Sequence, residues 1–85
     1  MNDGRPWTLD PTTEAEYLIP WLDSQPKPET LFAVLAYLSS LLRDPDRPHM
    51  ENGDNVYGGV IPGTEVGIIY SLEWDARQIL LALLE

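Results

Sequence analysis

From Asn55 to Glu85 the chain repeats a pattern: a short apolar run, then a break made by proline, glycine or charge. The runs are Asn55-Val-Tyr-Gly-Gly-Val-Ile61, Val66-Gly-Ile-Ile-Tyr-Ser-Leu72 and Gln78-Ile-Leu-Leu-Ala-Leu-Leu84, with Pro62-Gly63 and the polar stretch Glu73 to Arg77 between them. β-branched and aromatic residues so punctuated predict a strand meander. In the middle run Val66, Ile68, Tyr70 and Leu72 share one face, because strand side chains alternate. The last run also fits a helical stripe through Ala76, Ile79, Leu80, Leu83 and Leu84, and its residues are good helix formers. A third strand is preferred, because the run is short and a lone two-stranded hairpin is marginal. The apolar face of such a sheet must be covered, and only the preceding segments are available to cover it.

Those segments predict helices. Pro6-Trp7-Thr8-Leu9 is a short extended piece, with Trp7 and Leu9 on one face, and Met1 to Arg5 is expected to fray. Asp10 caps a helix that Pro11 opens, with Thr13 and Glu16 as an alternative capping box. Leu18, Trp21 and Leu22 form its buried stripe, and Pro20 is expected to kink or end it near Ile19. After Gln25-Pro26-Lys27-Pro28, the residues Leu31, Val34, Leu35, Leu38, Leu41 and Leu42 recur at helical spacing over Glu29 to Leu42. Phe32, Ala36 and Tyr37 widen that stripe, so the helix is expected to touch both the sheet and the first helix. Asp44-Pro45-Asp46-Arg47-Pro48 ends it, and His49 to Asp54 forms a polar loop. The expected fold is α+β: a single domain of order β-α-α-β-β-β, a helical hairpin on an antiparallel sheet.

Charge narrows function more than any motif does. Five Lys and Arg stand against fourteen Asp and Glu in 85 residues, a net charge of −9. Nucleic-acid binding rests on neutralising phosphates, so direct binding by the free protein is not expected. With no cysteine and a single histidine, neither a disulfide framework nor a zinc site is expected, and no cofactor is implied. Neither a signal peptide nor a membrane-spanning run is apparent, so the expected location is cytoplasmic.

Trp7-Thr-Leu9, Trp21-Leu22-Asp23, Thr30-Leu-Phe-Ala-Val-Leu-Ala-Tyr-Leu38, Leu42-Arg43-Asp44, Arg47-Pro48-His49, Pro62-Gly-Thr64, Val66-Gly-Ile-Ile-Tyr70 and Ala76-Arg77-Gln78-Ile-Leu-Leu81 follow one another in a succession that resembles the RelE/ParE superfamily of bacterial toxins, the HigB-like branch included. The resemblance implies the toxin half of a type II toxin–antitoxin pair, with an antitoxin protein as partner. It covers almost the whole chain. Two features depart from its ribonuclease members. Gly67 stands where they carry an arginine within the strand, and no basic or aromatic residue follows Leu84. Cleaving mRNA requires cations that hold phosphates and stabilise developing charge. The expected action is therefore protein contact, ParE-like and directed at a topoisomerase. A ribosome-dependent endonuclease and a non-toxic acidic interaction module are the alternatives, and a homodimer is a further expected assembly.

Candidate residues follow from the same reasoning. Arg43, Arg47 and His49 are a basic cluster that would contact an anion or RNA, with His49 as acid or base. The simpler account has Arg43 complementing its helix C-terminus and Arg47 pairing with Asp44 or Asp46. Arg77 is the residue most worth mutating, although a turn position favours solvation. Tyr57 and Tyr70, as cross-strand neighbours, would form a platform or simply pack. Trp74 lies in a charged turn and, if exposed, marks a protein contact. The carboxylate pairs Glu14/Glu16, Asp44/Asp46 and Glu73/Asp75 lack any ligand pattern and are expected to be solvated. Gly58-Gly59 lacks the remainder of a phosphate loop and suggests a bulge or a close backbone approach.

Overall fold

In the computed structural model, residues 6–43, 50–51 and 56–85 are described. Five strands form one sheet: β1 (Thr8–Leu9), β2 (Met50–Glu51), β3 (Val56–Val60), β4 (Gly67–Glu73) and β5 (Gln78–Leu84), in the order β1-β5-β4-β3-β2. The third apolar run is thus a strand, and the α+β architecture stands as expected, with the two-residue β2 added at one edge and the sheet mixed rather than wholly antiparallel. β3, β4 and β5 are an antiparallel meander, while β1 joins β5 in parallel. The parallel pair follows from connectivity, since the whole helical region intervenes between β1 and the meander.

Local chemistry places the turns. Pro62 and Gly63 are the central residues of a turn closed by Thr64 N–H donating to the Ile61 carbonyl at 3.0 Å. Gly63 has φ +81°, a left-handed conformation open to glycine at little cost, as a type II turn requires. The Thr64 hydroxyl donates to the same carbonyl and accepts from Val66 N–H, which locks the corner. Alternation then sorts the strands. Ile68, Tyr70 and Leu72 of β4 and Ile79, Leu81 and Leu84 of β5 are buried on one face, in the pairs Ile68↔Leu84, Tyr70↔Leu81 and Leu72↔Ile79. Each such side chain contributes ~1.5–3 kcal/mol of burial free energy. The register shifts between Ile69 and Tyr70, where Ala82 is the extra residue on β5. That bulge turns Leu84 inward and leaves Leu83 on the opposite face. Of the bulge or close backbone approach expected at Gly58-Gly59, the bulge is absent: β3 pairs with β4 without a register shift from Val56 to Val60.

The first helical region is continuous through Pro20. It comprises α1 (Pro11–Thr13), a π-helical stretch (Glu14–Leu18) and α2 (Ile19–Asp23). Asp10 caps it, its carboxylate accepting from Thr13 N–H at 3.0 Å, and Pro11 takes the first position. Of the kink or end expected near Ile19, the end does not occur: the helical region changes there from π to α type and runs on to Asp23. A proline ring clashes with the carbonyl four residues back and brings no N–H. The wider π turn just ahead, in which Ile19 N–H donates to the Glu14 carbonyl, accommodates it. Gln25, at φ 56°, closes the region in a left-handed conformation.

Pro28 opens α3 (Pro28–Arg43). Val34, Leu38 and Leu41 are buried, and Leu31, Tyr37 and Leu42 pack half-buried against them. Here two expectations are corrected. Leu35 does not belong to the buried stripe and Phe32 and Ala36 do not widen it; all three face outward, with Phe32 71% and Leu35 40% exposed. A helix laid on one sheet face can bury only an arc of its circumference, and these residues fall outside it. Trp7, Leu18 and Trp21 complete a core shared by sheet and helices.

A helix cap is joined to the sheet edge. The Thr13 hydroxyl accepts from the Leu81 N–H at 3.0 Å and donates to the Asp10 carbonyl at 3.3 Å. Beside it, β1 is fixed to β5 through Asp10 N–H on the Ile79 carbonyl at 2.9 Å. Edge groups that would otherwise be open to another chain are thus occupied.

Candidate functional site

The turn between β4 and β5 gathers two of the candidate residues. Trp74 meets Trp7 edge-on, with ring centroids 5.1 Å apart at 86°, and the Arg77 guanidinium carbon lies 5.9 Å from the Trp7 ring centroid. Trp7 is buried, Arg77 is half-buried and Trp74 is 47% exposed. Trp74 therefore stands at the surface as expected, and Arg77 lies in the turn as expected, half-buried, with its guanidinium beside the Trp7 indole. Its backbone has φ 54°, and its carbonyl accepts from Thr8 N–H at 3.0 Å, so Arg77 connects the turn to β1. Such a cation–π contact is worth ~0.5–1 kcal/mol near the surface.

Tyr57 and Tyr70 are cross-strand partners, stacked at 5.6 Å and 21°. Tyr70 is fully buried and Tyr57 half-buried against the core, so the pair packs the sheet and offers a ligand at most the rim of Tyr57. Arg43 is exposed in the last turn of α3, where it complements the helix dipole. Arg47 and His49 lie outside the described residues, as do Asp44 and Asp46. Among the described residues, no cluster of His, Cys, Asp or Glu is arranged to hold a metal ion, and no helix is long and apolar enough to cross a membrane.

Among the described residues, open clefts indent the surface. One, of about 710 Å³, is lined by Lys27, Thr30, Gly63, Thr64, Glu65 and Val66. Its Thr64 hydroxyl is already committed to the corner between β3 and β4. A second, of about 340 Å³, lies between the first helical region and the end of β5, with Tyr17, Pro20, Trp21 and Leu84 in its wall.

The feature not anticipated as a site is the outer stripe of α3. Phe32, Leu35, Ala36 and Ser39 recur at helical spacing and are all exposed. The signal was present: residues 31–38 are apolar without interruption, more than one buried face can take. Ile19 on α2, 45% exposed, is a further outward apolar residue of the hairpin. No protein-family model, curated protein or solved structure matches this chain.

Proposed function

We propose that this chain acts by contact with another protein, as the toxin-like partner of an antitoxin in a RelE/ParE-type pair. The observation that carries the reading is the exposed apolar stripe of α3, above all Phe32 at 71% exposure. A phenylalanine so placed gains nothing in the free chain, and a contiguous apolar stripe with a polar surround is the usual mark of a contact surface. An amphipathic segment laid across the helical hairpin would bury Phe32 and Leu35 as anchors one helical turn apart. The net charge of −9 favours a basic partner and speeds its encounter. Inhibition of a target enzyme such as a topoisomerase by binding asks for no nucleophile or general acid. That fits a chain in which Arg77 is engaged with Trp7.

The test is induced expression of the chain alone and beside any small reading frame found next to its own. Growth, DNA supercoiling and mRNA cleavage are followed together. Growth arrest that the neighbour relieves, and that the neighbour no longer relieves for Phe32→Glu, is the expected result. Harmless expression with no binding by the neighbour would leave a non-toxic interaction module. Cleaved mRNA, suppressed by Arg77→Ala in a chain that still folds, would replace this reading with the endonuclease.

A further inference from the structure

The cleft between the first helical region and the end of β5 combines aromatic surface with charge of one sign. Glu16, Tyr17, Pro20 and Trp21 line it from the helix, and Leu84 and Glu85 line it from the strand. Glu16 with Pro20, and Tyr17 with Trp21, lie four apart, which sets them in adjacent rows on one helix side. Trp21 and Leu84 are buried and Tyr17 is half-buried, whereas Glu16 and Glu85 are exposed. The wall is thus packed apolar surface with carboxylates at its rim. No basic residue lines the cleft. The charged residues between positions 6 and 26 are Asp10, Glu14, Glu16 and Asp23, so the first helical region carries no cation of its own. A concave surface of one sign draws in the opposite charge.

The main chain adds an independent observation. Gly67 and Glu85 exchange both backbone hydrogen bonds, at 2.8 and 3.1 Å. Such pairs alternate in an antiparallel ladder, so in the next pair, Ile68↔Leu84, the N–H and C=O of Leu84 point away from β4. Among the described residues β1 pairs with β5 at Gln78 and Ile79, short of Leu84, whose outer side is turned to the cleft. On the helical wall, Pro20 brings no N–H to the Glu16 carbonyl four residues back. The carbonyls of Glu16 and Leu84 therefore lack the partner that an α-helix or a central strand would supply. Backbone acceptors so placed call for a donor from elsewhere.

Acceptors, aromatic surface and uncompensated negative charge together select the occupant. Arginine carries its charge permanently, presents several N–H donors in one planar fork, and lies well against aromatic rings. We infer that this cleft takes an arginine side chain of a partner protein. Its stem lies against Tyr17, Pro20 and Trp21, and its guanidinium meets the carboxylates of Glu16 and Glu85 and the Leu84 carbonyl. A lysine ammonium has fewer donors, no plane to stack and a tighter hydration shell, so it suits the cleft less. The volume of about 340 Å³ is at the lower end for ligand pockets, room for one long side chain rather than a cofactor. One such anchor alone binds on the order of 1–10 mM, and within a larger contact it fixes register and orientation. The inference takes from the function proposed above only that the partner is a protein. The probes that test it need no partner, so either reading can fail alone.

The test is a nitrogen-15 NMR titration of the full chain with Nα-acetyl-arginine methylamide at about 0.15 M salt, where weak long-range attraction is screened. The expected result is saturable shifts centred on Tyr17, the Trp21 indole N–H and Leu84, with Kd on the order of 1–10 mM. The matching citrulline compound keeps the shape and loses the charge, and should bind about fivefold more weakly or worse. The lysine compound should bind about twofold more weakly, and free arginine, with a carboxylate of its own, no more tightly than the capped form. Glu16→Gln combined with Glu85→Gln should weaken arginine about fivefold and leave citrulline unchanged, which shows the cleft still formed. Shifts scattered over the acidic surface overturn the inference, as does arginine binding that the double substitution leaves intact. Citrulline or lysine bound as tightly as arginine also overturns it. Free arginine bound about tenfold more tightly than the capped form would make the occupant a small molecule and overturn the protein partner.

Discussion

Replacing Thr13 by valine keeps side-chain shape and removes one oxygen. That oxygen is the acceptor for the Leu81 N–H and a donor to the Asp10 carbonyl. Leu81 belongs to the core, so its amide has little water to turn to. A buried donor left without an acceptor costs ~1–3 kcal/mol. A domain of this length has a total stability of about 4–13 kcal/mol. With ~2 kcal/mol lost, the melting temperature should fall by roughly 8–16 °C. Thr12→Val, at an exposed neighbouring position, should stay within ~0.5 kcal/mol of wild type. Amide exchange gives the local readout: Leu81 should lose protection in Thr13→Val before the rest of β5 does. Asp10→Ala should itself cost ~1 kcal/mol through the lost cap. The two effects should be non-additive by ~0.5 kcal/mol or more, since Asp10 and Thr13 hold each other. If Thr13→Val melts within the error of wild type with an unchanged Leu81 exchange rate, the bond does not hold cap to sheet and the reasoning fails.

Other substitutions separate core from surface. Leu41→Ala, at a fully buried site, should cost ~2–5 kcal/mol in urea unfolding, whereas Phe32→Ala should change the free chain by less than ~0.5 kcal/mol. Arg77→Ala should destabilise by ~1 kcal/mol, and Arg77→Gly should recover most of that, because φ 54° suits glycine. Equal stability of the two would mean that the left-handed backbone carries no strain. Gly63→Ala should cost ~1 kcal/mol or more for its φ of +81°, with no steric clash to confuse the measurement, since a Cβ there meets nothing within 4 Å.

Much of the architecture was legible because it rests on local chemistry. Asp10-Pro11 starts a helix through capping geometry, and Pro62-Gly63 turns the chain through allowed dihedrals; both work within four residues. The strand at Gln78 to Leu84 was harder, since leucine and alanine carry no strand preference and only its place in a meander argued for it. What escaped was non-local. That Pro20 disturbs its helix near Ile19 is legible from its ring; the π turn that lets the helix continue past it is not. Phe32 and Leu35 share the composition of the buried stripe, and apolar periodicity cannot say which arc of a helix meets a sheet. The Ala82 bulge depends on pairing between strands and leaves no mark in β5 alone. Of the candidate site residues, Trp74 was placed correctly by its charged neighbours. The turn position of Arg77 is legible locally, but its contact with Trp7 is not, since the two lie seventy positions apart in the sequence.

β5 is the last strand in sequence yet lies inside the sheet, flanked by β4 on one side and β1 on the other. During synthesis, every earlier element must therefore wait for it. Until residues 78–84 emerge, β1 has no strand to join, Thr13 has no amide to receive, and the β4 edge that will pair with β5 stands open. Closure of this sheet is held back until β5 has emerged, leaving a window in which a nascent neighbour or a chaperone can take the vacant place.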